Sequence, residues 1–179
     1  MSLLILDWDD TLCPTTWLYQ TGLAECNGPV NKNQHELLHI CATHINAVLD
    51  VARHFGTRMI LTNASHGWVE YCIRRFFPAC AECIQECNIH YAWDSSEPNI
   101  SLWKKHYLRA YNNNTNFKRV LGIGDRIDDC EAVRYAFREC SNVQVMKLID
   151  EPSIIQTISQ LQHLVDMFHR GGLVMTHCI

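Results

Sequence analysis

The chain begins with an apolar run, Leu3 to Leu6, that ends abruptly in three acids, Asp7, Asp9 and Asp10, within LILDWDDTL. A short aliphatic run bounded by charge predicts a strand covered on both faces. Similar runs return at Thr57 to Leu61, near Asn88 to Trp93, at Arg119 to Ile123 and at Val143 to Leu148. Between them the apolar positions change to helical spacing. Leu37, Leu38, Cys41, Ile45, Val48, Leu49 and Ala52 mark a long helix over Gln34 to His54, closed by Gly56. The same spacing predicts helices at Gly67 to Phe77, Ala79 to Glu86, Ile100 to Tyr111, Asp128 to Arg138 and Ser153 to His169. Residues 12–33 read as irregular, punctuated by Pro14, Gly22, Gly28 and Pro29. Ser95 to Pro98 reads as a turn, Asn112 to Asn116 as a loop, and Gly171 and Gly172 open a tail.

Strands alternating with helices predict an α/β fold: a Rossmann-like parallel sheet of about five strands with helices on both faces. No internal repeat or linker divides the chain, so residues 1–179 read as a single domain. Ligands of such sheets lie beyond the C-terminal ends of the strands. Here those ends are Asp7, Thr62, Trp93 and Asp125, and three of the four suit phosphate or metal.

Bulk properties remove several function classes. The 179 residues carry a net charge of −4, which gives no basic bias toward nucleic acid or an anionic membrane surface. No apolar run approaches a membrane span, and no leader is recognisable, since the first strand begins at Ser2 and carries the acidic motif itself. The 10 cysteines lie in core-like segments, which predicts reduced thiols in a cytoplasmic protein more than a disulfide framework.

If the chain stays extended past Leu6, Asp7 and Asp9 point to one side and Trp8 to the other. Two carboxylates so close repel unless a cation offsets them or one holds a proton. A hard dication such as Mg²⁺ prefers oxygen ligands of this kind. The pair also divides labour naturally, one as nucleophile and one as general acid and base; the competing reading is a turn or helix cap. In VLGIGDRIDDCEAV, capping explains Asp128 better than it explains Asp125, which sits at the strand end. Asp129 fits a position behind a metal ligand. Thr62 and Asn63 offer a hydroxyl and backbone N–H groups to a phosphate, though Thr-Asn at a strand end is more often a turn. Lys104, with Lys105 beside it, could balance phosphate charge or simply face solvent.

The order of these fragments is DxDxT after the first strand, Thr after the second, Lys in a later helix, and GDxxxD after the fourth. In this order they resemble the haloacid dehalogenase-like superfamily of hydrolases, over essentially the whole chain. The stretch TNASHGWVEYCIRRFFP with a later WK is also similar to an uncharacterised group of microbial eukaryotic members. The resemblance implies that Asp7 is the nucleophile of an aspartyl-phosphate intermediate, that Asp9 is the general acid and base, and that Lys104 steadies Asp7 and the phosphoryl oxygens. It implies phosphate binding by Thr62, Asn63 and Lys104, and Mg²⁺ held by Asp7, Asp9 (through its carbonyl), Asp125 and Asp129.

An acid two residues past the nucleophile resembles the phosphatase and mutase branch. Residues 12–33 are too few for an independent cap domain. They would make at most a short flap or minimal cap, and they are the expected carrier of substrate specificity. The expectation is a Mg²⁺-dependent phosphomonoester hydrolase with an open site, acting on a phosphoprotein or another large or exposed phosphate. Two alternatives remain open: a weakly active or inactive binding or regulatory protein, and a phosphotransferase. The sequence sets neither oligomeric state nor pathway.

Cys80, Cys83, Cys87 and His90 have metal-like spacing, but the same spacing is one helix face, and packing is the favoured reading. His66 could reach the phosphate site but reads first as a solvated turn residue. Trp68 and Trp93 are expected to pack, and Trp17 to be the better candidate for substrate contact. Asn99-Ile100-Ser101 and Asn113-Asn114-Thr115 match glycosylation acceptors, which a cytosolic protein would not use.

Overall fold

A computed structural model of the chain describes residues 1–25, 28–94, 96–113 and 115–170. Among these residues five strands form one all-parallel sheet: β1 (Ser2–Leu6), β2 (Thr57–Thr62), β3 (Asn88–Tyr91), β4 (Arg119–Gly124) and β5 (Asn142–Lys147). Their spatial order is β3-β2-β1-β4-β5. The helices are α1 (Thr15–Gln20), α2 (Lys32–Val51), α3 (Trp68–Phe76), α4 (Ala81–Gln85), α5 (Trp103–Asn112), α6 (Ile127–Ala136) and α7 (Ile154–His169). The architecture is the expected Rossmann-like α/β fold.

The period-two geometry of a strand explains the layers. Leu4 and Leu6 of β1 pack into one core with Leu38, Ile45 and Leu49 of α2, Val69 of α3, and Leu161 and Leu164 of α7. Leu3 and Ile5 point the other way, into a second core with Leu108 of α5 and Ala132 and Val133 of α6. The crossover helix after β1 therefore lies on one face of the sheet, and the crossover helices on either side of β4 lie on the other. The strand order reverses beside β1, so a crevice opens at the carboxyl ends of β1 and β4.

Differences from the sequence expectations are local. Residues 12–33 are not wholly irregular: α1 starts directly after Pro14, and six residues are too short to display a helical period. α2 begins at Lys32, two residues early, because Asn31 and Gln34 form a capping box. The predicted helix at Ile100 opens as a 3₁₀ turn, Ile100–Leu102, before α5. β3 ends at Tyr91, although the Ala92 N–H still donates to the Thr62 carbonyl at 2.8 Å. The turn at Ser95 to Pro98, the loop at Asn112 to Asn116 and the second glycosylation acceptor fall partly outside the described residues, and the Gly171-Gly172 tail wholly so. No helix among the described residues is long and apolar enough to cross a membrane.

Candidate active site

The ladder carries Asp7 to its position. Its backbone N–H donates to the Ile123 carbonyl at 2.9 Å, which continues the β1–β4 pairing one residue past β1. The chain then turns sharply. The N–H groups of Leu12 and Cys13 both donate to the Trp8 carbonyl, and Asp10 takes a left-handed φ of 55°. Trp8 is fully buried in the core, as its alternation with Asp7 and Asp9 predicts. Asp10 serves the turn: it accepts from the Thr16 N–H at 2.8 Å and the Thr16 hydroxyl at 2.6 Å.

Asp7, Asp125 and Asp129 converge. One carboxylate oxygen from each lies within 4.8 Å of the others, and all three side chains are buried. Lys104, from the first turn of α5, reaches into this group and donates to Asp7 Oδ1 and Asp129 Oδ1, both at 2.6 Å. Burial works against the Lys104 ammonium, but the Asp7 and Asp129 carboxylates beside it outweigh that and raise its pKa. Burial also drives the Asp7 carboxyl well above its usual range, against the pull of Lys104 and with the help of Asp129 and Asp9. Burial, reinforced by Asp129, lifts Asp125 to about 6.

With all three acids ionised, three carboxylates against one ammonium leave two negative charges, the charge of one dication, and without such a cation the cluster holds protons instead. Asp125 Oδ1 is buried and meets no protein donor, a costly state for a carboxylate oxygen unless a cation takes it up. The donor set is all oxygen, which suits a hard cation such as Mg²⁺.

Close packing sets Asp129. A Cβ on Gly124 would sit 2.5 Å from Asp129 Oδ2, and one on Gly122 2.6 Å from Val133. Glycine at both places lets α6 approach β4 closely enough to bring Asp129 to Asp7. Asp129 Oδ2, the oxygen that Lys104 does not hold, accepts from the Arg126 N–H at 3.1 Å, so this residue caps α6 as well. Asp128 lies in the first turn of α6, where an acid complements the helix dipole as expected, and it also lines the cleft half-buried.

Asp9 is held by three donors: the Thr15 hydroxyl at 2.7 Å and the Trp68 indole N–H at 2.8 Å on Oδ1, and the Thr62 hydroxyl at 2.8 Å on Oδ2. Thr62 is fully buried and also accepts from the Ala64 N–H, so in this arrangement its hydroxyl is committed to Asp9. Asn63 lines the cleft beside Asp7, Asp9 and Lys104. Trp68 packs as expected, between Tyr19 and Tyr71, and its indole also grips Asp9, a role the sequence reading missed. Only its position after the 62–67 turn hinted at that reach. Trp17 packs on the core and is not among the residues that line the cleft, and Trp93 is half exposed against Trp103, so neither follows expectation. His66 is exposed and lies on Tyr91.

The cysteine motif is split by the sheet. Cys80 is buried with its Sγ on the Ala42 carbonyl, in the α2-side core. His90 turns to the opposite face, where Nδ1 meets the Tyr107 hydroxyl at 2.6 Å. Alternation along β3 forces that separation.

The cleft over these residues encloses about 830 Å³. Thr16 is the one described residue of the 12–33 segment that lines it. Its outer walls come from the stretch before α5, the start of α6 and the loop after β5. Comparison of the chain with protein-family models, with curated proteins and with solved structures gives no match in any of the three.

Proposed function

We propose that this chain is a haloacid dehalogenase-like phosphomonoester hydrolase that needs Mg²⁺ and works through an aspartyl-phosphate on Asp7. The observation that carries the reading is the meeting of Asp7, Asp125 and Asp129 around Lys104, with Asp125 Oδ1 left without a protein partner. A structural ion pair needs one carboxylate for one ammonium; this cluster holds more acid than folding requires.

A Mg²⁺ ion held by Asp7, Asp125 and Asp129 would neutralise charge on the transferring phosphoryl group. The chain's own residues do the rest. Asp7 attacks phosphorus, forming an acyl-phosphate P–O bond as the ester P–O bond breaks. Asp9, in its protonated form, gives its proton to the departing oxygen. In the second half, Asp9 takes a proton from water, the water oxygen attacks phosphorus, and Asp7 is released with inorganic phosphate. A hydroxyl donates or accepts, so Thr15 and Thr62 can serve Asp9 with or without its proton. Lys104 holds Asp7 in line and offsets its charge. The cleft's open mouth supports a phosphate carried on a large or exposed partner. The eight described cysteines are free, which suits a reducing, cytoplasmic setting.

The test is turnover of p-nitrophenyl phosphate and a phosphopeptide panel, with Mg²⁺ or with chelator, by the wild type, Asp7→Asn and Asp9→Asn. Activity should require Mg²⁺ and disappear in both variants. Turnover that survives Asp7→Asn would remove Asp7 as nucleophile, and folded, Mg²⁺-binding protein without turnover on any substrate would replace the hydrolase reading with a binding one.

A further inference from the structure

The cleft extends well past the catalytic cluster, and its outer walls have their own chemistry. Ile100 and Ile127 line it while 57% and 52% exposed. The 3₁₀ turn that carries Ile100 lies near α6, which Ile127 opens, so both elements bring an exposed apolar side chain to the same cleft. Asp128, Asp150 and Glu151 line the same space. Asp150 is paired with Lys147 at 2.9 Å, but Asp128 and Glu151 have no cationic partner among the described residues. Arg126 is the single cation among these outer residues.

These acids stand on a fixed frame. The Leu148 N–H donates to the Gly124 carbonyl at 2.8 Å, and the Ile149 N–H donates to Gln160 Oε1 at 2.6 Å. The loop after β5 is thereby tied both to β4, the strand that leads into Asp125, and to α7. Asp125, 5% exposed, lines the same cleft, and its buried Oδ1 has no protein partner, which points to a ligand at this end of the space.

We propose that the outer cleft selects the leaving group, and that the substrate is a phosphorylated peptide segment with an apolar contact and a basic residue beside the phosphorylated one. This rests on the hydrolase reading above. The substrate's two kinds of charge then go to two ends of the cleft. The phosphate is received by Lys104 and the metal-binding set, while a flanking cation meets Asp128 and Glu151. Like-signed charges lining a cleft reinforce one another's field, so an acidic flank is repelled by the same walls that attract a basic one. Ile100 and Ile127 give the apolar part of the segment a surface to cover.

The experiment uses two phosphotyrosine peptides identical except for Lys or Glu on either side of the phosphotyrosine, so that the leaving phenol is the same. For the wild type, kcat/KM should be about tenfold higher for the Lys peptide at low ionic strength. That ratio should fall toward one in about 0.5 M salt and in the double variant Asp128→Asn/Glu151→Gln. A ratio at or below one in the wild type, or one unchanged in the variant, overturns the proposal. Hydrolysis of p-nitrophenyl phosphate with a peptide ratio of one defeats the proposal and leaves the hydrolase reading standing. If none of the three is hydrolysed, the hydrolase reading fails, and the ratio is read from the Kd of the same peptides carrying a difluorophosphonate. A Lys preference there keeps the selectivity without the hydrolysis; equal Kd values overturn both.

Discussion

The Lys104 ammonium meets Asp7 Oδ1 at 2.6 Å, with both side chains more than nine-tenths buried. Lys104 also touches Asp129, so it is the one buried cation in a cluster of three acids. Removing one partner of a buried charge pair leaves the other uncompensated, at a typical cost of about 3–5 kcal/mol. Lys104→Met should therefore lower unfolding stability by about that amount in chelator, and added Mg²⁺ should restore part of it. Urea unfolding with and without Mg²⁺ measures both. An unchanged midpoint in chelator would mean that Lys104 contributes nothing to holding the cluster together.

The acidity of Asp125 gives the metal response a pH dependence. Burial first, and Asp129 second, raise its folded-state pKa from 3.8 to about 6. The folded protein then binds the proton more tightly than the unfolded chain does. The sign follows: in chelator, Asp125 costs no stability below about pH 4 and its full cost above about pH 6. Mg²⁺ competes with that proton, so it should raise Tm more at pH 7.5 than at pH 5. The difference should shrink in Asp125→Asn, with the remainder due to Asp7, whose carboxyl is also raised by burial. Thermal melts across that range, with and without Mg²⁺, provide the check.

Trp68 is the donor to Asp9 that cannot reverse its role, since an indole N–H only donates. Trp68→Phe keeps most of the packing and deletes that bond, at about 1 kcal/mol of stability. The fold should survive while kcat falls about tenfold or more, because a loosened Asp9 is misplaced for proton transfer. KM should move little. Steady-state kinetics separates the two, and a change confined to KM would place Trp68 in substrate binding.

Gly124 controls the approach of Asp129. An alanine there brings its Cβ to 2.5 Å from Asp129 Oδ2 and 2.6 Å from Asp129 Cβ. Something must shift, and what the added methyl meets is Asp129 and the start of α6 that carries it. Gly124→Ala should cost about 1–3 kcal/mol and weaken Mg²⁺ binding, whereas Gly28→Ala, with open space around it, should do neither. Urea unfolding and Mg²⁺ titration report the two effects.

The sheet and its site-bearing strand ends were legible because buried parallel strands announce themselves as aliphatic runs with an abrupt polar end. Asp7, Asp125, Asp129 and Lys104 could each be named from sequence, and the structure brings all four together. What sequence could not supply was direction at a distance. Thr62 and Trp68 lie 53 and 59 residues from Asp9, and nothing in their local pattern distinguishes a donor to Asp9 from a phosphate contact or a packing residue. Helix α1 was invisible because its start depends on Pro14 and its packing on one buried side chain, Leu18. The outer walls of the cleft were missed because loops carry no period, and their residues meet only through the strand order.

The ladder bonds that run past the strand ends fix how the site can move. Asp7, Ala92 and Leu148 each donate a backbone N–H to the neighbouring strand's end, to Ile123, Thr62 and Gly124. The nucleophile candidate is thus stitched into the middle of the sheet and not carried on a loop. Its amide can exchange with solvent only when the centre of the sheet opens, so its exchange rate should track global unfolding. Whatever adapts to substrate here must be the substrate itself or the outer rim, because the inner chemistry has the rigidity of the core.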